Sequence, residues 1–365
     1  MRKEKIIHVI APGGLAGAER VVLGGIDALR ADGEHEVELV VLEERRAPES
    51  YALFASAARA YGIHPHVIPT RAQVELSAIR HLHHKLCQTS IVHAHGHKAL
   101  AWSWAAKPKS TRIVTTHHGD LSGNLKAKFY EELSLKIYRR CDLVFAVDEA
   151  NQARLMQLLG ERDVALVENF LAMSAPAPRV RRVKGPLSLL ALGRLSKEKG
   201  LDTLIEAIAR CGKSVTLDIA GDGPMRGALE RQVRELGLEH RVTFLGFVDD
   251  VRALLETHDA LAMPSHREGM PMALIEALSA GLPILATNVG GIPSIVRPGE
   301  DAILTKAGDA TLMARALERF VIHYPTLAAG AFESAFKPRH RFSAKRWSKQ
   351  TNAHYTNLID SRGGF

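Results

Sequence analysis

The stretch Ser174–Gly200, SAPAPRVRRVKGPLSLLALGRLSKEKG, decides the domain count. Up to Pro186 it is rich in proline and arginine and poor in large apolar residues, the composition of a connector. Beyond Pro186 a short apolar run, LSLLAL, ends in glycine and cations. Similar runs lie on both sides of the connector. Upstream are IIHVIA, VELVVL, SIVHAH, RIVTTH and LVFAV; downstream are LSLLALG, VTLDIAG, VTFLGF, ALAMPS and PILAT. Short Val/Ile/Leu runs alternating with amphipathic stretches predict parallel sheets covered by helices on both faces. The expected class is α/β with two doubly wound domains, residues 1–172 and 186–336, joined by a linker over 173–185. A tail over 337–365, with Phe342, Trp347, Tyr355 and Leu358 as an apolar face, is expected to pack back across the cleft. Ligands of such sheets bind beyond the carboxyl ends of the strands, which predicts a site between the domains.

The composition, 46% hydrophobic and 24% charged over 365 residues, is that of a globular protein. Cys87, Cys141 and Cys211 form no CxxC pair and leave an odd count, which fits reduced thiols better than a disulfide framework or a zinc site. The start, MRKEKIIHVIAPGG, imitates a signal peptide, but its apolar part, Ile6 to Ala11, is too short for one. No stretch reaches the roughly 18 apolar residues of a membrane span. The expectation is a cytoplasmic protein. Its net charge of +8 is uneven: Arg71 to Arg140 holds twelve Lys/Arg against four Asp/Glu, and Lys337 to Phe365 holds seven against one. Such excesses attract nucleic acid, anionic membranes or anionic substrates, or are simply solvated faces. No RNA- or DNA-binding motif accompanies them, so nucleic acid is not an expected partner.

The chemistry gathers where strands end. PGGLAGAER follows the first strand and opens a helix near Ala18, with Gly13, Gly14 and Gly17 allowing close backbone approach and a helix N-terminus suited to an anion. It does not fit GxGxxG, and such a loop also serves as a plain turn. In the second half GRLSKEKG follows LSLLAL, bringing Arg194 and Lys199 to a strand–helix junction where two cations suit a pyrophosphate. The next strand ends in GDGP, Gly221 to Pro224. In SHREGMPMALIEAL, Ser265 to Leu278, Glu268 precedes a helix and Glu276 lies over one turn inside it, with Pro271 expected in the first helical turn. Backbone N–H groups around Met270 to Ala273 lie between two acceptors. A phosphate at the helix end with hydroxyls on either side, the order of sugar, phosphate and ribose, would satisfy all three. For Glu276 a structural salt bridge is the rival reading.

These motifs resemble the retaining glycosyltransferases of the glycosyltransferase-B (GT-B) fold, family four (glycosyl transferases group 1). GRLSKEKG, GDGP, FLGFVDD, EGMPMALIE and ATNVGGIPSIV are similar to that family's C-terminal half; GAERVV and THHGD resemble looser N-terminal signatures. The resemblance implies two Rossmann-like domains facing across a cleft, an acceptor-binding N-terminal half and a nucleotide-sugar donor half. It implies that Glu276 binds the ribose, Arg194 and Lys199 the diphosphate, and Glu268 the donor sugar beside Gly269, Met270 and Pro271, with Met272 and Ala273 at the helix end. Gly221 and Gly223 would line the same rim, and Phe247 and Val248 would face the nucleobase. Gly14, Gly17 and Glu19 would form the acceptor/phosphate loop, and His118 would reach the donor sugar. The chain departs from the family at Ala16-Gly17, where two glycines are usual, at Asp148, where Ser is usual, and at Glu168-Asn169-Phe170.

The implied reaction is transfer of a hexose or HexNAc from a nucleotide sugar, UDP-sugar foremost, to a glycan or lipid-linked acceptor in cell-surface polysaccharide, lipopolysaccharide or glycolipid assembly. The basic excess raises peripheral association with the inner face of the cytoplasmic membrane. No DxD pair occurs, and cations with a helix N-terminus can stabilise the departing diphosphate, so neither metal nor cofactor is expected at the donor. Two rivals remain: a sugar-nucleotide epimerase of the same fold, and a catalytically silent sugar-nucleotide-binding protein.

Overall fold

In a computed structural model of the protein, the apolar runs form two all-parallel sheets. The structure describes residues 3–15, 17–45, 48–71, 75–117, 125–160, 163–171, 176–178, 185–212, 214–248 and 250–361. The first sheet is built from β1 (Lys5–Ile10), β2 (Glu36–Glu44), β3 (His66–Thr70), β4 (Ile91–His95), β5 (Arg112–His117), β6 (Leu143–Ala146) and β7 (Val164–Leu166), in the order β3-β2-β1-β4-β5-β6-β7. Between them run α1 (Gly17–Asp32), α2 (Pro48–Ala60), α3 (Leu76–Leu86), α4 (His97–Ala106), α5 (Leu125–Tyr138) and α6 (Glu149–Leu159). Successive side chains of a strand leave opposite faces. Ile7 and Val9 of β1 accordingly enter one apolar core and Ile6 and Ile10 the other. Both faces are covered, which is why these strands read as continuous apolar runs.

The second sheet repeats the plan. It contains β8 (Leu187–Leu192), β9 (Val215–Ala220), β10 (Val242–Gly246), β11 (Ala260–Met263), β12 (Ile284–Thr287) and β13 (Ala302–Thr305), in the order β10-β9-β8-β11-β12-β13. Its helices are α7 (Leu201–Arg210), α8 (Arg226–Glu235), α9 (Val251–Thr257), α10 (Met272–Ser279), α11 (Ile292–Ile295), α12 (Ala310–Ser334) and α13 (Phe336–Arg341).

The chain divides into two units, Met1–Met173 with Phe342–Phe365, and Ser174–Arg341. The stretch expected as a single tail is thus shared: α13 stays with the second unit, and α14 (Ala344–Asp360) joins the first. There α14 lies against α1, where a Cβ at Gly25 would stand 2.7 Å from the Trp347 ring. Tyr355 is fully buried in the core of that sheet face. Only Pro176 to Pro178 and Gly185 of the expected linker are among the described residues.

Candidate functional site

In each sheet the strand order reverses once, between β1 and β4 and between β8 and β11, and such a reversal opens a crevice at the carboxyl ends of the strands. At the second sheet's reversal the predicted residues converge. After β8, Gly193 (φ +138°) turns the chain, Arg194 is exposed, and Lys199 closes a short 3-10 turn, Lys197–Lys199. Gly200, at φ +59°, sits on the backbone following β11: a Cβ there would lie 2.3 Å from the Pro264 carbonyl oxygen. The two loops are thereby pressed together. Lys199 Nζ donates to Glu268 Oε1 at 2.6 Å, and the Ser265 hydroxyl donates to the same oxygen at 2.6 Å. The Thr287 hydroxyl holds the Ser265 carbonyl at 2.5 Å. The Glu268 side chain is only 9% exposed, so this ion pair is substantially desolvated. Gly193, Arg194, Lys199, Pro264 and Ser265 line one solvent-open recess of about 260 Å³.

Glycines shape the rest of the rim. A Cβ on Gly290, at φ +53°, would stand 1.8 Å from the Glu268 carbonyl oxygen, and Gly291 N–H donates to the Gly269 carbonyl at 3.0 Å. Gly221 and Gly223 of GDGP lie on the GRLSKEKG loop, with hypothetical Cβ atoms 1.9 Å from Gly193 O and 2.5 Å from Leu195 O. Gly221 N–H reaches the Gly246 carbonyl at 2.7 Å, which brings the following turn to the same edge. There Phe247 is 54% exposed, while Val248 packs inward on the core. Exposure leaves the Phe247 ring available for stacking.

Pro271 departs from expectation. It is the N-cap of α10, with φ −77° and ψ 115°, not a residue of its first turn. Met270, Gly269 and Pro271 therefore form the approach to the helix, and Met272 and Ala273 are its first residues, whose N–H groups have no acceptor within the helix. Glu276 lies one turn further, half-buried on α10.

In the first unit Gly13 and Gly14 turn the chain after β1 with nothing within 4 Å of a hypothetical Cβ on either. Gly17 starts α1, and Glu19 is the acid of its first turn, where the helix dipole favours it. His118 lies outside the described residues. Its neighbour His117 ends β5 buried, with Nδ1 3.3 Å from the Tyr138 hydroxyl. Asp148, one of the departures from the family pattern, caps α6 by accepting from Asn151 N–H at 2.8 Å. Burial pushes the Cys141 thiol up to about 12, so it remains a protonated core residue. Part of the basic excess is internally paired: Lys85 with Glu38, Lys98 with Glu44 and Arg112 with Asp142, each at 2.7 Å. Arg140 instead lies 5.1 Å from the ring centre of exposed Trp104.

Sequence reading passed over Ser265 and Gly290, and over His8, His93 and His95, which the first sheet gathers within one cluster. The alternating His-Ala-His of β4 was the available signal for His93 and His95.

Residues 15–173 match the family Glycosyltransferase Family 4, and residues 177–329 match Glycosyl transferases group 1. The chain is 29% identical over 228 residues to the lipopolysaccharide core biosynthesis glycosyltransferase LpsE of Rhizobium meliloti, covering 61% of this chain and 64% of that protein. It is 30% identical over 223 residues to the putative colanic acid biosynthesis glycosyltransferase WcaL of Escherichia coli, covering 57% of this chain and 55% of that one. The matched part thus spans less than two thirds of the length of either relative. Among solved structures, Anabaena HepE in complex with UDP-glucose shares the fold, with a TM-score of 0.83 at 22% identity over 97% of this chain and 99% of that one. Matched in both of its units, the chain belongs to the group 1 glycosyltransferases of the GT-B fold.

Proposed function

We propose that the protein transfers a hexose or HexNAc from a UDP-sugar to an acceptor in the assembly of a cell-surface polysaccharide, lipopolysaccharide or glycolipid, with retention of anomeric configuration. The observation that carries this reading is the Lys199–Glu268–Ser265 cluster beside Arg194 at the second sheet's strand reversal. The names of LpsE and WcaL and the UDP-glucose complex of HepE support the substrate class.

As the anomeric C–O bond breaks, negative charge grows on the leaving diphosphate and positive charge on the anomeric carbon. Arg194, Lys199 and the N-terminus of α10 supply preorganised positive potential for the first. Lys199 exchanges its contact with Glu268 for phosphate oxygens, which frees the carboxylate to accept from hydroxyls of the donor sugar. Glu276 accepts from the ribose hydroxyls, Phe247 stacks on the base, and the acceptor attacks on the face the diphosphate leaves. These charges suffice without a metal at the diphosphate. The Gly13–Gly17 loop and Glu19 meet the acceptor side. The basic surface around Arg139, Arg140 and exposed Trp104 is suited to an anionic bilayer or a lipid-linked acceptor.

Incubation with labelled UDP-glucose, UDP-galactose and UDP-N-acetylglucosamine, with a lipid extract as acceptor, tests the reading. Transfer without added Mg²⁺ or Mn²⁺ is expected. Epimerised donor, or UDP binding with no turnover of any donor, would overturn it in favour of an epimerase or a silent binding protein.

A further inference from the structure

Three imidazoles share one face of the first sheet at its strand reversal. His8 of β1 stands opposite His93 of β4 in the parallel register, and His95 follows two residues on, so all three side chains leave the same side. They are 1%, 0% and 8% exposed. Ring centres are 4.9 Å apart for His8–His93, 5.2 Å for His8–His95 and 4.2 Å for His93–His95. One nitrogen from each ring lies within 4.8 Å of the other two. The neighbouring positions on this face, Ile6, Ile10 and Ile91, are aliphatic, and so is most of the core around them. Burying three polar rings where valine or isoleucine would pack costs free energy that calls for a compensating ligand or network.

We propose that His8, His93 and His95 form a binding site for a divalent transition-metal ion of the zinc class. Three neutral imidazole nitrogens are a donor set that Zn²⁺, Co²⁺ or Ni²⁺ accepts readily and that the oxygen-seeking Mg²⁺ and Ca²⁺ do not. A His-x-His pair on one strand and a third histidine on its neighbour give three ligands of a tetrahedron, with nitrogens about 3.3 Å apart for metal–nitrogen bonds of about 2.0 Å. His8 Nδ1 and His95 Nε2 are now 2.9 Å apart, sharing a proton, and need open by only a few tenths of an ångström. An ion between them takes the place of that proton, which moves to the other nitrogen of its own ring. For His8 that nitrogen, Nε2, is 3.4 Å from the Tyr355 hydroxyl. No proton leaves the site, and the rings stay neutral. His93 binds through one nitrogen while the other keeps its contact, with Tyr355 Oη at 2.6 Å or Thr116 Oγ1 at 2.8 Å, the outer-shell bond that orients a ligating imidazole. His8 and His95 also line a cavity with Thr116 and Asn169, which leaves room for the fourth ligand.

The test is a titration of metal-free full-length protein with Co²⁺. One tight equivalent is expected, with the intense visible absorption of a four-coordinate site, displaced by Zn²⁺ and unmoved by millimolar Mg²⁺. His95→Gln should lower Zn²⁺ affinity by roughly 100-fold or more. His81→Gln, at the exposed His66–His81 pair, should leave it unchanged. Zinc-edge X-ray absorption of the wild type counts imidazole ligands without any variant, so a misfolded His95→Gln does not spoil the test. Three imidazoles support the site. No tight equivalent, fewer than three imidazoles, or an equivalent lost in His81→Gln and kept in His95→Gln overturns it.

Discussion

Lys199 and Glu268, sixty-nine residues apart, are joined by a 2.6 Å ion pair whose carboxylate oxygen also takes the Ser265 hydroxyl. The cation proposed to meet the diphosphate and the carboxylate proposed to meet the sugar neutralise each other until the donor arrives. On the proposed reading donor binding is an exchange of partners, and each half of the pair has its own expected phenotype.

Glu268→Gln releases Lys199 while keeping the side chain's size. UDP affinity should stay level or rise a few-fold, because Lys199 no longer leaves a carboxylate to reach phosphate, while kcat falls strongly. Calorimetry with UDP beside steady-state kinetics reads both; a large loss of UDP affinity would contradict the exchange.

Glu276→Ala should act on the nucleotide. Losing one partner of a charge-assisted hydrogen bond costs about 1.5–3 kcal/mol, roughly a ten- to 150-fold rise in the UDP dissociation constant. If UDP binds the variant as it binds the wild type, Glu276 is a structural residue.

Glycine substitutions separate stability from chemistry. Gly290→Ala meets a carbonyl at 1.8 Å at a positive φ and should cost about 2 kcal/mol or more, a fall of several degrees in Tm. Gly13→Ala meets nothing within 4 Å and should leave Tm unchanged while reducing transfer, because an added methyl group holds a ligand off the loop. Thermal melts and activity measured side by side would show whether that division holds.

Acid should weaken the first unit in particular. His8, His97 and His354 are held below the usual imidazole range, in each case chiefly by burial. Their folded forms resist protonation and their unfolded forms do not. The stability they permit is complete above about pH 6.5 and is lost as pH falls, through the range down to about 3 for His8. Each such histidine adds a slope of up to roughly 1.4 kcal/mol per pH unit. The urea midpoint of the metal-free protein between pH 7 and 4.5 should fall, and less steeply in His8→Gln.

For the basic surface, Arg139→Glu with Arg140→Glu should abolish sedimentation with anionic vesicles at low salt without altering UDP affinity. Each basic residue near such a bilayer contributes about 1 kcal/mol, which salt screens. Wild-type protein that ignores anionic vesicles would mark the acceptor as soluble.

Most of the ten legible strands are buried on both faces of a parallel sheet, which writes an unbroken apolar run into the sequence; β10, an edge strand with Thr243 and Leu245 exposed, was legible from its apolar composition alone. The strands that escaped, β3, β7 and β13, are short and outermost; β3 contains Pro69 and β7 has three residues. The meeting of Arg194, Lys199 and Glu268 at one edge was legible because each follows an apolar run whose end places it at the carboxyl rim of the sheet. Ser265 and Gly290 were not. A serine that steadies a carboxylate and a glycine that makes room for a carbonyl look like ordinary loop residues until the fold sets them against Glu268. The histidine cluster escaped for a related reason: His8 and His93 are neighbours only through strand register, 85 positions apart in sequence.

The assignment of α14 to the first unit also sets an order of events during synthesis. The segment through Met173 leaves the ribosome long before Phe342 to Phe365, which complete its core with Tyr355 and Trp347. At about 5–20 residues per second, the intervening chain takes on the order of ten to thirty seconds to make. During that interval the sheet face carrying Ile6, Ile91 and Phe145, already packed by α1 and α2, still lacks the α14 side chains Trp347 and Tyr355. The nascent first unit therefore waits with part of its apolar core open, and shielding that gap during synthesis is expected to raise the yield of native protein, which co-expression with a chaperone would measure.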